Sequence, residues 1–311
     1  MDLNIEVFKY TKDRRDDWNG LASQSLFFFN REYMEYKPVP MENSCICYLN
    51  KVPVAIFPAV QDSDSLISYK YLTYGGLIYS PSLITNQVFH IYEHVLNFYR
   101  ISGVKKIRIK LIPAVFRSCP FQADNFYLFR QSHRFLDSDL NTIIDLKNPL
   151  PISSQKKKYV RNATKRGLCC SENLEHLNSF YKILEDILAS KYGVKPTHTF
   201  EELSNLVKMF PLNIKLFTVS STDEAILAGA LVFDFEHVVH TQYLANSLEG
   251  QKIGALDMVI SHLKQHYAAT HNFLSLGRST TPSGDLNWGL LNSKEGMGGR
   301  SIPCIHLELL I

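Results

Sequence analysis

The chain has 311 residues, which is long for one small domain and suits two domains of about 150 residues each. Lys and Arg number 33 and Asp and Glu 30, so a formal net charge of +3 excludes a strong overall attraction to nucleic acid or anionic membrane. The six cysteines form no CxxC pair and have no histidine at zinc-ligand spacing, which favours reduced thiols and no metal site. With no signal-like amino terminus and no membrane-length apolar run, we expect a cytoplasmic protein without a transmembrane segment.

The first half of the chain predicts one α/β unit. The apolar runs Cys45–Leu49 and Pro53–Val60 surround Asn50-Lys51, which is a hairpin signal. A third strand is predicted at Tyr71–Ile78, and the strand Lys106–Leu111 closes the unit. Between these two strands a helix is predicted from apolar residues at helical spacing, which are Val88, Ile91, Val95, Leu96 and Tyr99.

A short connector follows at residues 148–154. It contains two prolines, and it predicts a boundary between an N-terminal domain, residues 1–147, and a C-terminal domain, residues 155–311. The basic run Gln155–Gly167 predicts a helix that ends at a glycine. Arg161 and Lys165 lie four residues apart on one face of it, so they could clamp a phosphorylated ligand. The run could equally be a solvated helix face.

The second half repeats the plan of the first. Two strands, Lys215–Ser220 and Ile226–Phe235, flank a polar turn, and His237–Ala245 is the next strand. A helix is predicted at Ala255–His266 and a strand at Phe273–Leu276. Two helices are predicted before these strands, Ser179–Ser190 and Phe200–Met209, and a capping box begins the second of them. One further strand, Ile302–Leu310, is predicted after them.

A glycine-bearing turn separates strand His237–Ala245 from the helix that follows. A helix that opens directly from a strand presents unpaired backbone N–H groups and the positive end of its dipole to one point, which suits a pyrophosphate. The sequence therefore predicts a phosphate-bearing cofactor held by Gly250, Gln251, Lys252, Ile253, Gly254 and Ala255. In the first half the corresponding segment, Tyr79–Ser82, has a proline where N–H donors are needed, so that domain is predicted to be degenerate for cofactor binding.

Polar side chains on the central strand of the second half are candidates for catalysis. By alternation, His240 and Gln242 share one face of the strand and Tyr243 lies on the other. His240 is the candidate general base, and Tyr243 or Tyr192 is the candidate general acid. Each of these residues could instead have a structural role.

Further candidate contacts follow the next strand. Arg278 could hold a carboxylate or phosphate of the substrate, or it could form a structural ion pair with Asp285 or Glu295. The glycine-rich segment Gly296–Arg300 predicts a flexible loop that faces the substrate. The predicted substrate contacts are Arg161, Lys165, Gln242, Ser275, Arg278, Asn287, Lys294 and Arg300.

The element order of the second half, with its turn between strand and helix, resembles the GNAT fold of acyl-CoA-dependent N-acyltransferases. The GNAT signature is Gln or Arg, any two residues, Gly, any one residue, and then Gly or Ala. Gln251 and Gly254 match the first two of these fixed positions, and Leu256 stands where the final small residue is expected. Segments throughout the chain resemble the FemAB-like branch: Phe27–Met34, Leu72–Leu77, Tyr159–Arg166, Gly254–Leu256, Phe273–Ser279, Asn287–Leu290 and Lys294–Arg300. The resemblance covers nearly the whole chain and implies an α/β fold with two tandem GNAT-like domains, each a mixed central sheet flanked by helices.

The resemblance also implies a reaction. In GNAT-like proteins an amine attacks the thioester of acetyl-CoA directly, and two central strands part to admit the pantetheine arm. Here those strands correspond to His237–Ala245 and Phe273–Gly277. Such an enzyme must position the thioester, offer an N–H to the developing oxyanion and remove a proton from the amine. We therefore expect an acyl-CoA-dependent N-acyltransferase acting on an amine of a sugar, a sugar nucleotide or another cell-envelope precursor.

Two alternatives remain open. A FemABX-type transferase would take an amino acid from aminoacyl-tRNA and add it to a peptidoglycan precursor, with Lys156–Arg166 as its basic RNA-binding tract. A non-catalytic binding protein would keep the fold without the chemistry, and Leu256 favours that interpretation. A hydrolase is disfavoured because no nucleophile elbow of the Gly-x-Ser-x-Gly type is present.

Overall fold

Two units make up the structure, a computed structural model that describes residues 3–69, 71–221, 223–281 and 283–311 except for the side chain of Tyr192. The first unit comprises the residues up to Asp139 together with Pro303–Ile311, and the second comprises Leu140–Ile302. The predicted connector, residues 148–154, lies inside the second unit. There, Ser153 N–H donates to the Gly296 carbonyl oxygen at 2.8 Å.

Among the described residues, seven strands and four α-helices lie wholly within the first unit. The strands are β1 (Ile5–Lys9), β2 (Cys45–Leu49), β3 (Val52–Phe57), β4 (Val60–Asp62), β5 (Ser65–Ile67), β6 (Ile78–Tyr79) and β7 (Lys106–Lys110). The helices are α1 (Arg15–Ala22), α2 (Arg31–Met34), α3 (Thr85–Ile101) and α4 (Ala123–Phe129). Strand β8 (His133–Asp145) then crosses from the first unit into the second.

The elements of the second unit follow. The helices are α5 (Ser154–Lys165), α6 (Leu177–Tyr192), α7 (Phe200–Met209), α8 (Leu248–Ile253), α9 (Ala255–Tyr267) and α10 (Trp288–Glu295). The strands are β9 (Cys170–Glu172), β10 (Ile214–Ser220), β11 (Ile226–Asp234), β12 (Val238–Asn246) and β13 (Phe273–Arg278). Strand β14 (Arg300–Leu310) begins in this unit and returns to the first.

In the first unit, β1, β2, β3 and β6 form an antiparallel sheet, while β7 pairs in parallel with β5 and antiparallel with β14. The predicted hairpin is confirmed: Asn50 and Lys51 have φ of +50° and +67°, as a two-residue turn of this kind requires. The predicted helix is also confirmed as α3, whose apolar face is buried in the core of this unit.

The strand predicted at Tyr71–Ile78 is wrong. Only Ile78 and Tyr79 of this region form a strand, and it pairs with β3. Two glycines explain the difference. A Cβ on Gly75 would lie 2.7 Å from Ser68 Cβ, and Gly76 has a φ of +101°, so the chain turns closely past its neighbours here instead of extending.

In the second unit, β9, β10, β11 and β12 form an antiparallel sheet, which β13 extends in parallel and β8 extends antiparallel. Helix α9 packs on one face with its apolar residues in the core of this unit. Helix α6 packs on the other face, so closely that a Cβ on Gly229 of β11 would lie 2.7 Å from the Phe180 ring. The capping box predicted before α7 is confirmed between Thr199 and Glu202. None of the described helices has the length and apolar character that a bilayer crossing demands.

Candidate active site at the parting of two strands

Strands β12 and β13 run side by side, but their hydrogen-bonded ladder is short. It joins Val238–His240 to Phe273–Ser275, although β12 continues as far as Asn246. Strand β13 bends at Gly277, where φ is +74°, and its ladder with β8 is irregular between Ser275 and Arg278. The two strands therefore part directly after His240 and Ser275. We call this opening the split.

A hydrogen-bond network fixes the imidazole at the edge of the split. His240 Nδ1 lies 2.9 Å from Ser275 Oγ. The Ser275 hydroxyl donates to Asn141 Oδ1 at 3.4 Å, and the Gly277 N–H donates to the Ser275 oxygen at 3.4 Å. Because the hydroxyl has one proton, His240 Nδ1 is assigned as the N–H donor to Ser275, which leaves the lone pair of the ring on Nε2.

The environment of His240 makes it a weaker base than the sequence predicts. Burial and the positive charge of Lys294 lower the pKa of His240 to about 4. The imidazole is therefore neutral at pH 7. It can accept a proton only from a strongly acidic group, such as the ammonium formed when an amine attacks an ester or thioester.

Lys294 is buried beside the same split. Its Nζ donates to the carbonyl oxygens of Gly277 at 2.8 Å and Arg278 at 2.6 Å. Burial, followed by the nearby charge of Arg278, lowers the pKa of Lys294 to about 7. An amine with this pKa exchanges protons readily near neutrality, which is a property of catalytic lysines.

A β-bulge at Gln242 changes the predicted orientation of β12. Leu231 of β11 pairs with Tyr243 and the next residue, Val232, pairs with Thr241, so Gln242 is the extra residue. Residues that pair directly across two strands share a face of the sheet. Tyr243 pairs with Leu231 and His240 pairs with Phe233. Leu231 and Phe233 lie two residues apart on β11 and share a face, so Tyr243 and His240 share that face as well. The prediction that Tyr243 and His240 lie on opposite faces is wrong.

The Tyr243 hydroxyl contacts His198 and also forms hydrogen bonds with Thr197 and Gln242. It accepts from the His198 N–H at 3.2 Å and lies 2.7 Å from His198 Nδ1. Burial raises the pKa of Tyr243, so its hydroxyl keeps its proton near neutral pH. Tyr192, the alternative acid, has a side chain outside the described part of the structure.

The predicted phosphate turn is a helix. Residues Leu248–Ile253 form α8, and the Gly250 N–H is used within the helix cap, where it donates to Ser247 Oγ at 3.0 Å. A Cβ on Gly250 would lie 2.4 Å from the Leu227 carbonyl oxygen. A Cβ on Gly254 would lie 2.7 Å from Tyr159 Cβ. Both glycines therefore allow close packing, and Gly250–Gly254 does not form the open phosphate cradle that the sequence predicts. Helix α9 begins directly after this segment at Ala255, and no side chain caps its amino terminus.

We expect Gly254→Ala to lower the free energy of unfolding by about 2 to 3 kcal/mol, because it adds crowding against Tyr159 to the cost of φ at +78°. Urea denaturation measures the loss. Gly193→Ala is the matched control, since Gly193 has φ of +64° but nothing within 4 Å of its Cβ position, and it should lose only about 1 kcal/mol. Equal losses in the two variants would contradict the packing role.

The other predicted contacts lie apart from this network. Arg161 and Lys165 are exposed on α5. Asn287 caps α10, where its Oδ1 accepts from the Leu290 N–H at 3.0 Å. Arg300 is exposed at the start of β14, and its Nη1 donates to the Gly299 carbonyl oxygen at 2.6 Å.

The flexible loop predicted at Gly296–Arg300 is a packed turn. A Cβ on Gly298 would lie 2.6 Å from the Leu150 carbonyl oxygen, and one on Gly299 would lie 2.5 Å from Thr142 Cγ2. Met297 between them is fully buried. These glycines therefore allow close contact with the residues before α5, instead of giving the segment freedom to move.

Sequence reasoning misses Asn141, which holds Ser275 from the neighbouring strand β8. Residues Leu140–Asp145 precede the predicted boundary, so the sequence-based division leaves them outside the second domain. Their run of Thr and Ile is a strand signal that could have suggested a further strand. Among the residues that the structure describes, no three His, Cys, Asp or Glu side chains converge as metal ligands would.

No protein-family model matches the chain, and no curated protein does either. Solved structures do match at low identity. FemX is 11% identical with a TM-score of 0.69, covering 98% of this chain and 97% of its own. L-PGS from Bacillus licheniformis is 11% identical with a TM-score of 0.62, and the match covers 94% of this chain and 90% of the L-PGS chain. A tandem GNAT protein from the clavulanic acid biosynthesis pathway is 6% identical with a TM-score of 0.51, covering 99% and 98%.

At these identities the likeness establishes the fold. The chain has two tandem GNAT-like domains, each a mixed sheet flanked by helices, and its structural relatives include FemAB-like proteins. The expected fold class is thus confirmed, while the reaction has to be argued from the side chains of this chain.

Proposed function

We propose that the chain is an acyl-CoA-dependent N-acyltransferase whose reaction takes place at the split. The observation that carries this proposal is the parting of β12 and β13 beside His240, Ser275 and Lys294. An extended pantetheine arm needs a slot of this kind, and the amine acceptor needs a proton carrier at its inner end. The structure of the tandem GNAT protein is described as solved without AcCoA, and this description associates acetyl-CoA with that relative.

The proposed reaction is direct. The nitrogen of the acceptor amine attacks the thioester carbonyl carbon, the C–N bond forms, and the C–S bond then breaks to release the thiolate of CoA. Neutral Lys294 takes the proton from the attacking nitrogen, with neutral His240 as a second acceptor for the acidic ammonium. Tyr243 remains the candidate that returns a proton to the thiolate.

The developing negative charge on the carbonyl oxygen needs an N–H donor. The bulge at Gln242 removes one residue of β12 from the ladder with β11, and β12 has already parted from β13 at this level. We assign the donor to the backbone of β12 near this bulge, since backbone N–H groups positioned before the reaction stabilise an oxyanion strongly. Gln242 and Arg278 are the proposed contacts to the acceptor, which is an amine of a sugar, a sugar nucleotide or another cell-envelope precursor.

A second candidate function is supported by α5. Its residues Lys157, Lys158, Arg161 and Lys165, with Arg166 beyond its end, are all exposed. Together with the fold likeness to FemX, this basic surface favours an aminoacyl-tRNA donor, because phosphate contacts from clustered Lys and Arg dominate RNA affinity. The close packing of Gly254 on Tyr159 also weakens the argument for a CoA pyrophosphate at that glycine.

Thermal unfolding with acetyl-CoA separates these functions. A ligand that binds only the folded state at about a hundred times its Kd stabilises that state by about 2.7 kcal/mol, so we expect a rise in Tm. No rise at saturating acetyl-CoA, together with salt-dependent binding of aminoacyl-tRNA, would reverse the choice of donor. Absence of both would favour the non-catalytic binding protein.

Arg161 and Lys165 provide a second test of the donor site. We expect the double variant Arg161→Gln/Lys165→Gln to weaken binding of the phosphorylated donor roughly tenfold, because it removes two charge-assisted contacts. Calorimetry with acetyl-CoA and filter binding with aminoacyl-tRNA measure the two cases. The control is Lys191→Gln/Lys208→Gln, which removes two cations from other helices of the same unit. Unchanged binding of both donors would remove α5 from the site.

A further inference from the structure

The chain has two tryptophans, and they lie in opposite environments. Trp18 is fully buried, and its Nε1 donates to the Phe29 carbonyl oxygen at 2.8 Å. Trp288 is the first residue of α10, and its exposed fraction is 64%. Among the residues that the structure describes, none stacks a ring or a cation on the Trp288 indole or forms a hydrogen bond with it. Tryptophan is mostly buried in proteins, so we ask what the place of Trp288 in the fold offers.

A closed loop brings Trp288 back to the end of β13. Ser279 directly follows this strand, and its carbonyl oxygen accepts from the Asn287 N–H at 2.9 Å. Thr280 and Leu286 pair in an antiparallel bridge inside the loop. Trp288 comes directly after Asn287 and therefore lies beside the end of the strand that parts from β12.

Helix α10 joins Trp288 to the buried part of the site. Trp288, Leu291 and Lys294 recur every three residues, so they form a stripe along one side of the helix. Leu291 and Lys294 are each 5% exposed, and the Lys294 Nζ donates to two carbonyl oxygens at the end of β13. With a rise of about 1.5 Å per residue, the Cα atoms of Trp288 and Lys294 are about 9 Å apart along the axis. The stripe runs from the proposed proton acceptor to an exposed indole.

The segment around Trp288 is polar but nearly uncharged. Residues 279–292 contain four Ser or Thr and two Asn, and Asp285 is their one charged residue. Asn287 uses its side-chain oxygen to cap α10, so its amide NH2 is left as a donor next to the indole. Apart from its chain neighbours, Gly289 has only the Asn287 side-chain oxygen within 4 Å of its Cβ position, so the space after the indole is open.

We propose that Trp288 is a platform on which one sugar ring of the acceptor stacks, and that the acceptor is an amino sugar of at least two rings. The indole offers an apolar face to the C–H groups of the ring, while nearby hydroxyl and amide groups form hydrogen bonds with its hydroxyls. The second ring carries the amine across the distance of about 9 Å to Lys294. Because it rests on the proposed function, the assignment names the acceptor of that same reaction: an oligosaccharide with a free amine.

The charges near Trp288 argue against a nucleotide as the stacked group. A nucleobase brings phosphates, and these need several cations beside the stacking ring. Residues 279–292 contain no Lys or Arg. Of the cations that flank this segment in the sequence, Lys294 is buried against backbone carbonyl oxygens, and Arg278 alone is exposed. Sugar hydroxyls need only the neutral donors and acceptors that the segment supplies.

Fluorescence tests the binding without requiring a reaction, because Trp288 is the exposed indole of the two. The probe is the β-1,4-linked glucosamine disaccharide. We expect it to shift the emission of Trp288 to the blue in a saturable way and to protect the indole from quenching by acrylamide. Glucosamine itself, which lacks the second ring, should bind at least about tenfold more weakly.

Calorimetry with the same disaccharide compares three variants. Trp288→Ala should weaken binding at least about tenfold, since truncating a tryptophan that stacks on a ligand removes most of the contact. Trp288→Phe keeps a ring face and should stay within about threefold of the unchanged protein. Leu290→Ala is the matched control, because Leu290 is 37% exposed on another side of the same helix and should leave binding unchanged.

Kinetics separate a binding role from a structural one. Trp288→Ala should raise KM for the disaccharide at least about tenfold, with kcat within about threefold and the affinity for acetyl-CoA unchanged. The assignment is overturned if the unchanged protein does not bind the disaccharide, if Leu290→Ala loses as much affinity as Trp288→Ala, or if Trp288→Ala loses affinity for acetyl-CoA instead. If acetyl-CoA does not bind but the disaccharide still shifts the Trp288 emission, the sugar platform is supported and the proposed donor alone is wrong.

Discussion

Lys294→Met is expected to lower the rate of acyl transfer by about a hundredfold or more, because it removes the proposed proton acceptor for the attacking amine. Burial and Arg278 lower the pKa of Lys294 to about 7, and only its neutral form can accept a proton. The rate of the unchanged enzyme should therefore fall as the pH drops below about 7 and level off above it. In Lys294→Met this dependence should be absent. Transfer rates measured across pH with saturating donor and acceptor test both statements.

Lys264→Met is the matched control for this experiment. Lys264 is half-buried on α9, burial lowers its pKa, and its Nζ donates to the Met297 carbonyl oxygen at 2.9 Å, away from the split. This variant should keep the transfer rate within a fewfold of normal and retain its pH dependence. If the change near pH 7 persists in Lys294→Met, Lys294 is not the acceptor and another group must be assigned.

Arg31→Met is expected to cost about 3 to 5 kcal/mol of the free energy of unfolding, the largest single effect on stability that we expect. The Arg31 side chain is fully buried, and it donates to both Glu42 oxygens at 2.6 and 2.9 Å and to Glu35 at 3.0 Å. Its guanidinium also stacks on the Tyr10 ring at 3.7 Å. Removing it leaves the partly buried Glu42 carboxylate without its arginine, while Glu35 keeps its ion pair with Arg15.

Two further variants identify the cause of this loss. Arg14→Met removes a less buried arginine that also lies over an aromatic ring, that of Phe8 at 4.3 Å, and should cost about 1 kcal/mol or less. Arg31→Met/Glu42→Gln should recover part of the stability, because it also removes the abandoned charge. Chemical denaturation monitored by circular dichroism gives all three values. A loss under about 1 kcal/mol in Arg31→Met would contradict this account.

The sequence predicts elements well wherever local patterns and burial agree. Helix α3 and the β2–β3 hairpin form where they are expected because their apolar spacing and turn residues already specify them, although β3 ends at Phe57 and not at Val60. The strand expected at Tyr71–Ile78 is wrong because the requirement for close approach at Gly75 outweighs the apolar run. A glycine alone does not show whether it frees a turn or admits a neighbouring atom.

In the candidate site, too, local sequence indicates some features and only packing determines the others. His240, Ser275 and Arg278 can be chosen from sequence because they lie on or directly after the expected parting strands, and Lys294 because it adjoins the glycine-rich segment Gly296–Arg300. The bulge at Gln242 cannot be foreseen, since it depends on how β11 and β12 pair, and it reverses the orientation expected for Tyr243. The pKa of Lys294 likewise depends on burial that only the packed structure provides.

The crossing of β14 between the units has a consequence for how the protein is made. Residues His306–Leu310 pair with β7, and Leu307 and Leu309 are buried in the core of the first unit. On the ribosome this strand emerges only after the entire second unit has been synthesised. The first unit therefore keeps an open core until the second unit has been made, although its own sequence begins earlier.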